Sequence, residues 1–207
     1  MLVGAGVLVV AAVVIALVAM GGGSPGNSPA GAPPPSRAAF TFPLDKVSSV
    51  RVAAHGPTTS AQDVAAAVQS RLSDMYGTAF LDPRSWAGAT PATLWQTFAP
   101  ATRARAQGDG AAFTLKGIGK VQDLKVTTSS LDVEVLYDPS GRPSAAIATV
   151  EFEASGQTGG GAPVNVVSTA HLLLRPASGQ WFISGYPSAS TRIAPQGSSA
   201  SPSGGTP

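Results

Sequence analysis

The sequence predicts an α+β fold, with helices packed on one face of a curved antiparallel sheet. Apolar residues recur at helical spacing before Gly119 and at spacing two after it. Short Gly- and Pro-containing connections cut the second half into segments, which makes neighbouring strands antiparallel. Helices followed by a run of strands collect on one side of a sheet. Composition confines this domain to the middle of the 207 residues: every aromatic lies between Phe40 and Tyr186, and every charged side chain between Arg37 and Arg192. The chain therefore divides into an apolar segment 1–20, a linker 21–39, a folded domain 40–192 and a polar tail 193–207.

Residues 1–20, MLVGAGVLVVAAVVIALVAM, carry no ionisable side chain. About 20 apolar residues in a helix cross the hydrocarbon layer, so a single transmembrane helix serving as an uncleaved anchor is expected here. The competing reading is a signal peptide cut near Ala19-Met20-Gly21, although such peptides have a shorter apolar stretch behind a basic leader. No basic residue precedes the run, while Arg37, Lys46 and Arg51 follow it. The positive-inside rule taken literally would hold the domain inside the cell. An N-terminal span, a linker and a lone domain without cysteine are nevertheless the layout of an exported, anchored protein. We expect an extracytoplasmic domain, with a basic leader upstream of this chain. The linker, rich in Gly, Ser and Pro, contains nothing to fill a core, and the tail is expected to be disordered.

Thr59 or Ser60 can cap a helix, with Gln62 or Asp63 three residues on as the reciprocal partner. Val64, Val68, Leu72 and Met75/Tyr76 then form its apolar stripe. Gly77 weakens the far end, and Asp82-Pro83 stops the helix because a residue before proline leaves the α region. Asp82 can cap a short turn that starts at Pro83 and carries Trp86. Thr90-Pro91 repeats that signal, opening a helix with Leu94, Trp95 and Phe98 on one side. Pro100 kinks or restarts it before Gly108-Asp109-Gly110. Beyond Gly119, Leu131, Val133, Val135 and Tyr137 alternate with Asp132, Glu134 and Asp138. A second strand alternates around Val150 and Phe152, a third around Leu172, and Ala177-Ser178-Gly179 turns into a last strand at Trp181-Phe182-Ile183.

The run YGTAFLDPRSWAGATPATLWQTFAPATRARA, then SSLDVEVLYDPSGRPSAAIATVEFEA, then AHLLLRPASGQWFISGY, resembles the cone-shaped α+β superfamily named after nuclear transport factor two. It is more particularly similar to membrane-anchored extracytoplasmic members from high-GC Gram-positive bacteria, including proteins associated with the mammalian-cell-entry transport systems. The resemblance covers roughly residues 59–187 and rests on element order and the final-strand pattern G-x-W-x-I-x-G-Y, Gly179 to Tyr186. It implies a cone-like domain with a pocket between helices and sheet, in a superfamily holding isomerases, dehydratases and epoxide hydrolases beside many members without catalysis.

Several chemistries are poorly supplied. The absence of cysteine excludes disulfides, thiol catalysis, thiolate metal sites and a lipid-anchored cysteine. Scattered basic residues and a net charge of +2 do not outline a nucleic-acid surface. His55 and His171 are far apart, and neither has a carboxylate at helical ligand spacing, so no metal or cofactor is expected. Gly22-Gly23-Ser24-Pro25-Gly26 matches a nucleophile elbow but lies in the linker, not between strand and helix. Gly117-Ile118-Gly119-Lys120 suggests a phosphate loop, but Thr114 and Val121 replace its first glycine and its magnesium-binding hydroxyl.

Asp132, Glu134, Glu151 and Glu153 fall on the polar phase of the strands, so no catalytic acid or base is placed inside the sheet. Glu134, Glu151, Glu153, His171 and Arg175 instead form a candidate interaction face, His171 being a cross-strand neighbour for Glu151 or Glu153. Tyr76, Trp86, Trp95, Tyr137 and Trp181 are core aromatics or, alternatively, line a ligand pocket with hydroxyl and indole groups as polar handles. The expected protein is a non-catalytic, single-span envelope accessory or scaffolding module, whose partners are the membrane and other envelope proteins or a second copy met through the sheet. A binding domain for a lipid or other small apolar ligand is the alternative, and a small isomerase or dehydratase the third reading.

Overall fold

The computed structural model describes residue 37 and residues 39–51, 57–87, 90–117 and 120–194. The expected transmembrane helix 1–20, linker residues 21–36 and tail residues 195–207 lie outside them. No described helix is long and apolar enough to cross a membrane. The domain is α+β. Strand β1 (Leu44–Arg51) is followed by helices α1 (Ala61–Phe80), α2 (Pro83–Trp86) and α3 (Pro100–Gly108), with a 3-10 segment Ala92–Thr97 before α3 and another, Gly110–Ala112, after it. Strands β2 (Val121–Tyr137), β3 (Pro143–Thr158), β4 (Pro163–Ala177) and β5 (Gln180–Ala194) complete the chain.

Ser60 is the N-cap of α1. Its hydroxyl accepts from the Asp63 N–H at 3.1 Å and reaches the Asp63 carboxylate at 2.7 Å. The helix passes through Gly77, where Arg37 packs about 3.5 Å from the position a Cβ would take and donates to Thr78 Oγ1 at 2.7 Å. Asp82 caps α2 by accepting from the Arg84 N–H at 2.9 Å. Thr90-Pro91 behaves differently from the expectation. Pro91 is itself the cap, no side chain caps the segment, and a 3-10 turn forms instead of an α-helix. Phe98 then extends and bridges Ile183 of β5, and a separate helix starts at Pro100.

The sheet order is β1-β2-β3-β4-β5. The four long strands form the expected antiparallel meander, but β1 joins β2 in parallel, so the sheet is mixed rather than wholly antiparallel. LDKVSSVR places apolar residues every third position, a spacing that declares neither helix nor strand. Its pairing comes from the β2 edge it meets. The last strand also runs on to Ala194, past the expected end at Tyr186, with Thr191 opposite Ser168 and Ala189 opposite Ala170.

The core lies between α1 and the inward face of β2–β5. Val133, Val135, Ala148, Val150, Phe152, Val166, Leu172 and Ile183 come from the sheet, and Val68, Leu72, Met75, Tyr76 and Phe80 from α1. A ring cluster sits at its centre, with Phe152 5.1 Å from Phe80 and 5.4 Å from Tyr76.

Two strand glycines separate structural necessity from open space. A Cβ on Gly156 would stand 2.6 Å from the Gln122 carbonyl oxygen, beside the β2 irregularity that holds Asp123 at a φ of 55°. A Cβ on Gly185 would meet nothing closer than Leu173 Cβ at 3.7 Å. Gly156→Ala is expected to cost about 1–3 kcal/mol in urea unfolding, as overpacking does, while Gly185→Ala stays within about 0.5 kcal/mol of the parent.

Candidate functional site

Alternation along the strands sends Glu134, Thr149, Glu151, Glu153, Thr169, His171 and Arg175 to the sheet face away from α1. Glu151, Glu153, His171 and Arg175 are exposed and Glu134 is half-buried. The face divides by sign. Glu151 and Glu153 are the charged residues of β3, whereas β4 and β5 carry Arg175 and Arg192 with His171. Among the described residues, no ion pair engages these carboxylates or guanidinium groups. The cross-strand neighbour of His171 is Thr149, whose Oγ1 lies 3.2 Å from Nδ1. Register places Thr169 opposite Glu151 and Val167 opposite Glu153, which keeps the imidazole from pairing with either acid.

The aromatics named as pocket residues are scattered. Tyr76 is 1% exposed, wedged between Phe42, Phe80 and Phe152, with its hydroxyl 3.4 Å from Ser168 Oγ. Burial raises its pKa to about 12, against the opposing hydrogen bond from Ser168. Tyr137 is buried and donates to the Thr59 carbonyl at 2.9 Å, tying the end of β2 to the entry of α1. Trp95 is half-buried against Phe98 at 6.0 Å, and Trp181 is half-buried at the start of β5. Trp86 donates to the Phe80 carbonyl at 2.7 Å. None of these five lines the hollows described next.

Two adjoining hollows lie along the β5 margin instead. One, of about 540 Å³, is polar and runs between the end of α3 and Pro187–Ser190. The other, of about 470 Å³, is mainly apolar, with Ile147, Leu173, Gly185 and Pro187 in its lining together with Arg105 and His171. Arg105, Tyr186 and Pro187 line both. A third notch of about 210 Å³, around Lys46, Asp132 and Glu134, lies nearer β1.

The shared ridge is built by three side chains that were not among the expected site residues: Tyr186, which closes the final-strand pattern, Asp109 and Arg105. Tyr186 turns inward against Phe113 at 4.9 Å and Phe98 at 6.0 Å, and its hydroxyl donates to Asp109 Oδ2 at 3.0 Å. Arg105 lies over the Tyr186 ring, 4.8 Å from its centroid, with Nε 3.5 Å from the same Asp109 oxygen. Burial and the hydrogen bond to Asp109 hold the Tyr186 phenol above its ordinary pKa, which keeps it a neutral donor. The i,i+4 spacing of Arg105 and Asp109 was visible in the sequence; the docking of α3 against the β5 edge was not.

With that geometry in place, comparison with known proteins adds no relative: no protein-family model matches the chain, and neither a curated protein nor a solved structure matches it significantly.

Asp82 is the one charged side chain among the described residues that belongs to the buried set. Arg84 grips it through Nε at 3.0 Å and through Nη2, and these hydrogen bonds, outweighing burial, hold its carboxyl below the usual range. A depressed folded-state pKa contributes stability above the unfolded value of about 3.9 and loses it as pH falls through the folded one. Asp82→Ala is expected to cost about 1 kcal/mol at pH 7, the usual worth of an N-cap. In denaturant unfolding series, that difference should shrink progressively below about pH 4.

Proposed function

We propose that the chain is a single-span, membrane-anchored envelope protein whose folded part works outside the membrane by binding rather than by catalysis. Its role is that of an accessory or scaffolding module, and its working surface is the outward sheet face. The observation that carries this reading is the filled interior. The space between α1 and the sheet, where a cone-like domain would keep its pocket, is occupied by the Phe42, Tyr76, Phe80 and Phe152 rings. An isomerase or dehydratase would need an acid or base aimed into that space. The buried carboxylate, Asp82, is committed to Arg84 and to the cap of α2. Kinship with the superfamily named after nuclear transport factor two rests on element order and the final-strand pattern.

The division of charge on the outward face suits a second copy. An isologous contact between two such sheets would lay the acids of β3 against the basic side chains of β4 and β5. A second reading, a binding site for a lipid or other small apolar ligand, is favoured by the apolar hollow beside Gly185.

Charge reversal tests the face. Glu151→Lys with Glu153→Lys is expected to weaken association about tenfold in sedimentation equilibrium, which corresponds to about 1.4 kcal/mol. Adding Arg175→Glu and Arg192→Glu is expected to restore it. A parent chain that stays monomeric, or reversal without effect, would remove the self-contact reading.

A further inference from the structure

We infer that the trough beside Gly185 is a binding site for a single-chain anionic amphiphile, a long-chain fatty acid carboxylate, with its alkyl chain against Ile147, Leu173 and Pro187 and its carboxylate at Arg105. The inference specifies the second reading above; its trough opens on the same outward face as the charged sheet contact and shares His171 with it, but it does not use Glu151, Glu153, Arg175 or Arg192.

Three independent features converge. The first is shape and lining. The trough is an open groove of about 470 Å³, within the size range of small-molecule sites, with a mainly apolar lining. Ile147 is 38% exposed, one of two large apolar side chains that reach so far into solvent among the described residues.

The second is charge. The ionisable groups with a basic function on its lining are Arg105 and His171, and no carboxylate shares that lining, because Asp109 faces the neighbouring polar hollow. Asp109 Oδ2 lies 3.5 Å from Arg105 Nε, and among the described residues the Arg105 guanidinium hydrogen-bonds to no side chain. A guanidinium edge of this kind matches a carboxylate in two parallel hydrogen bonds. The stack on Tyr186 fixes its position at the trough's margin.

The third is Gly185 itself. Its backbone is not in the left-handed region, and a Cβ would find 3.7 Å of room. Neither backbone conformation nor close packing demands glycine here. What a side chain at this position would do is fill the trough.

The test uses the full chain in phosphatidylcholine nanodiscs and a dodecanoate probe carrying a terminal diazirine. After irradiation, adducts are mapped by mass spectrometry. Adducts are expected at Ile147, Leu173 and Gly185–Pro187, suppressed at least tenfold by excess dodecanoate and unaffected by dodecyltrimethylammonium. Gly185→Leu is expected to abolish them with the circular dichroism and thermal midpoint of the parent. Ile147→Glu, a change at an exposed position, provides a second block should Gly185→Leu fold poorly. Arg105→Gln is expected to reduce adduct yield about tenfold for dodecanoate while leaving a dodecanol diazirine probe unchanged. Adducts confined to other surfaces, equal competition by the cationic amphiphile, or full labelling of both blocking variants would overturn the inference. The charge-reversed Glu151/Glu153 variant keeps the trough lining intact and should label at least as strongly as the parent, which separates this site from the sheet contact.

Discussion

Phe152 fixes the phase of the whole sheet. Its ring stacks on Phe80 at 5.1 Å and lies within 5.7 Å of Tyr76 and Phe40, so the largest apolar side chain of β3 is seated against α1. Side chains along a strand alternate, and register carries the phase across: Val150 faces Ala170 and Ala148 faces Leu172. A slip of one residue would push Phe152 into water and turn Glu151 and Glu153 under the helix. Two unpaired carboxylates in that core would cost several kcal/mol each. Hydrophobic seating and the avoidance of buried charge thus enforce the same arrangement.

Once the interior is sealed in this way, chemistry is displaced to its borders. One set of hydroxyls inside is linked: those of Tyr76, Ser168 and Thr191 form a chain that ends on the Ala112 carbonyl, 2.9 Å from Thr191. That chain leads from the ring cluster to the β5 margin, where the turn after α3 meets the sheet. The carboxylates of β3 and the guanidinium groups of β4 and β5, by contrast, stand on the outward face without ion-pair partners among the described residues, and charges divided by sign steer and select a partner.

Much of the fold was legible because local signals and tertiary context agree. Ser60 and Asp63 announce the start of α1, Asp82-Pro83 announces α2, and the alternation around Val133, Val150 and Leu172 announces three strands. The misreadings share a cause. β1 has no periodicity of its own, and the helical spacing of Leu94, Trp95 and Phe98 is overridden; both stretches follow the strand edges met at β2 and, through Phe98, at Ile183. The candidate site was less legible than the fold. Tyr76 and Tyr137 are aromatic with polar tips, as pocket residues often are, yet each hydroxyl is spent on a structural contact, with Ser168 and the Thr59 carbonyl respectively. Gly185 belonged to the final-strand pattern, but its place beside Arg105 follows only from the meeting of α3 with β5, which joins positions about eighty residues apart.

The irregularity of β5 explains both halves of that meeting. Ser188 pairs with His171, Gly185 with Leu173 and Ile183 with Leu174, so β5 spends more residues than β4 over the same stretch. Continuing the regular antiparallel ladder from Ser188 would set Tyr186 opposite Leu173; continuing it from Ile183 would set Tyr186 opposite His171. Either way the tyrosine would project from the outward face and fill the trough. The bulge rotates it inward instead, onto Phe98 and Phe113, where Asp109 receives its hydroxyl and Arg105 lies over its ring. The same local distortion leaves a glycine where the aromatic side chain would have stood. One backbone feature therefore completes the second aromatic cluster of the core, anchors α3 and opens the apolar trough, and a substitution that regularised the strand would disturb all three together.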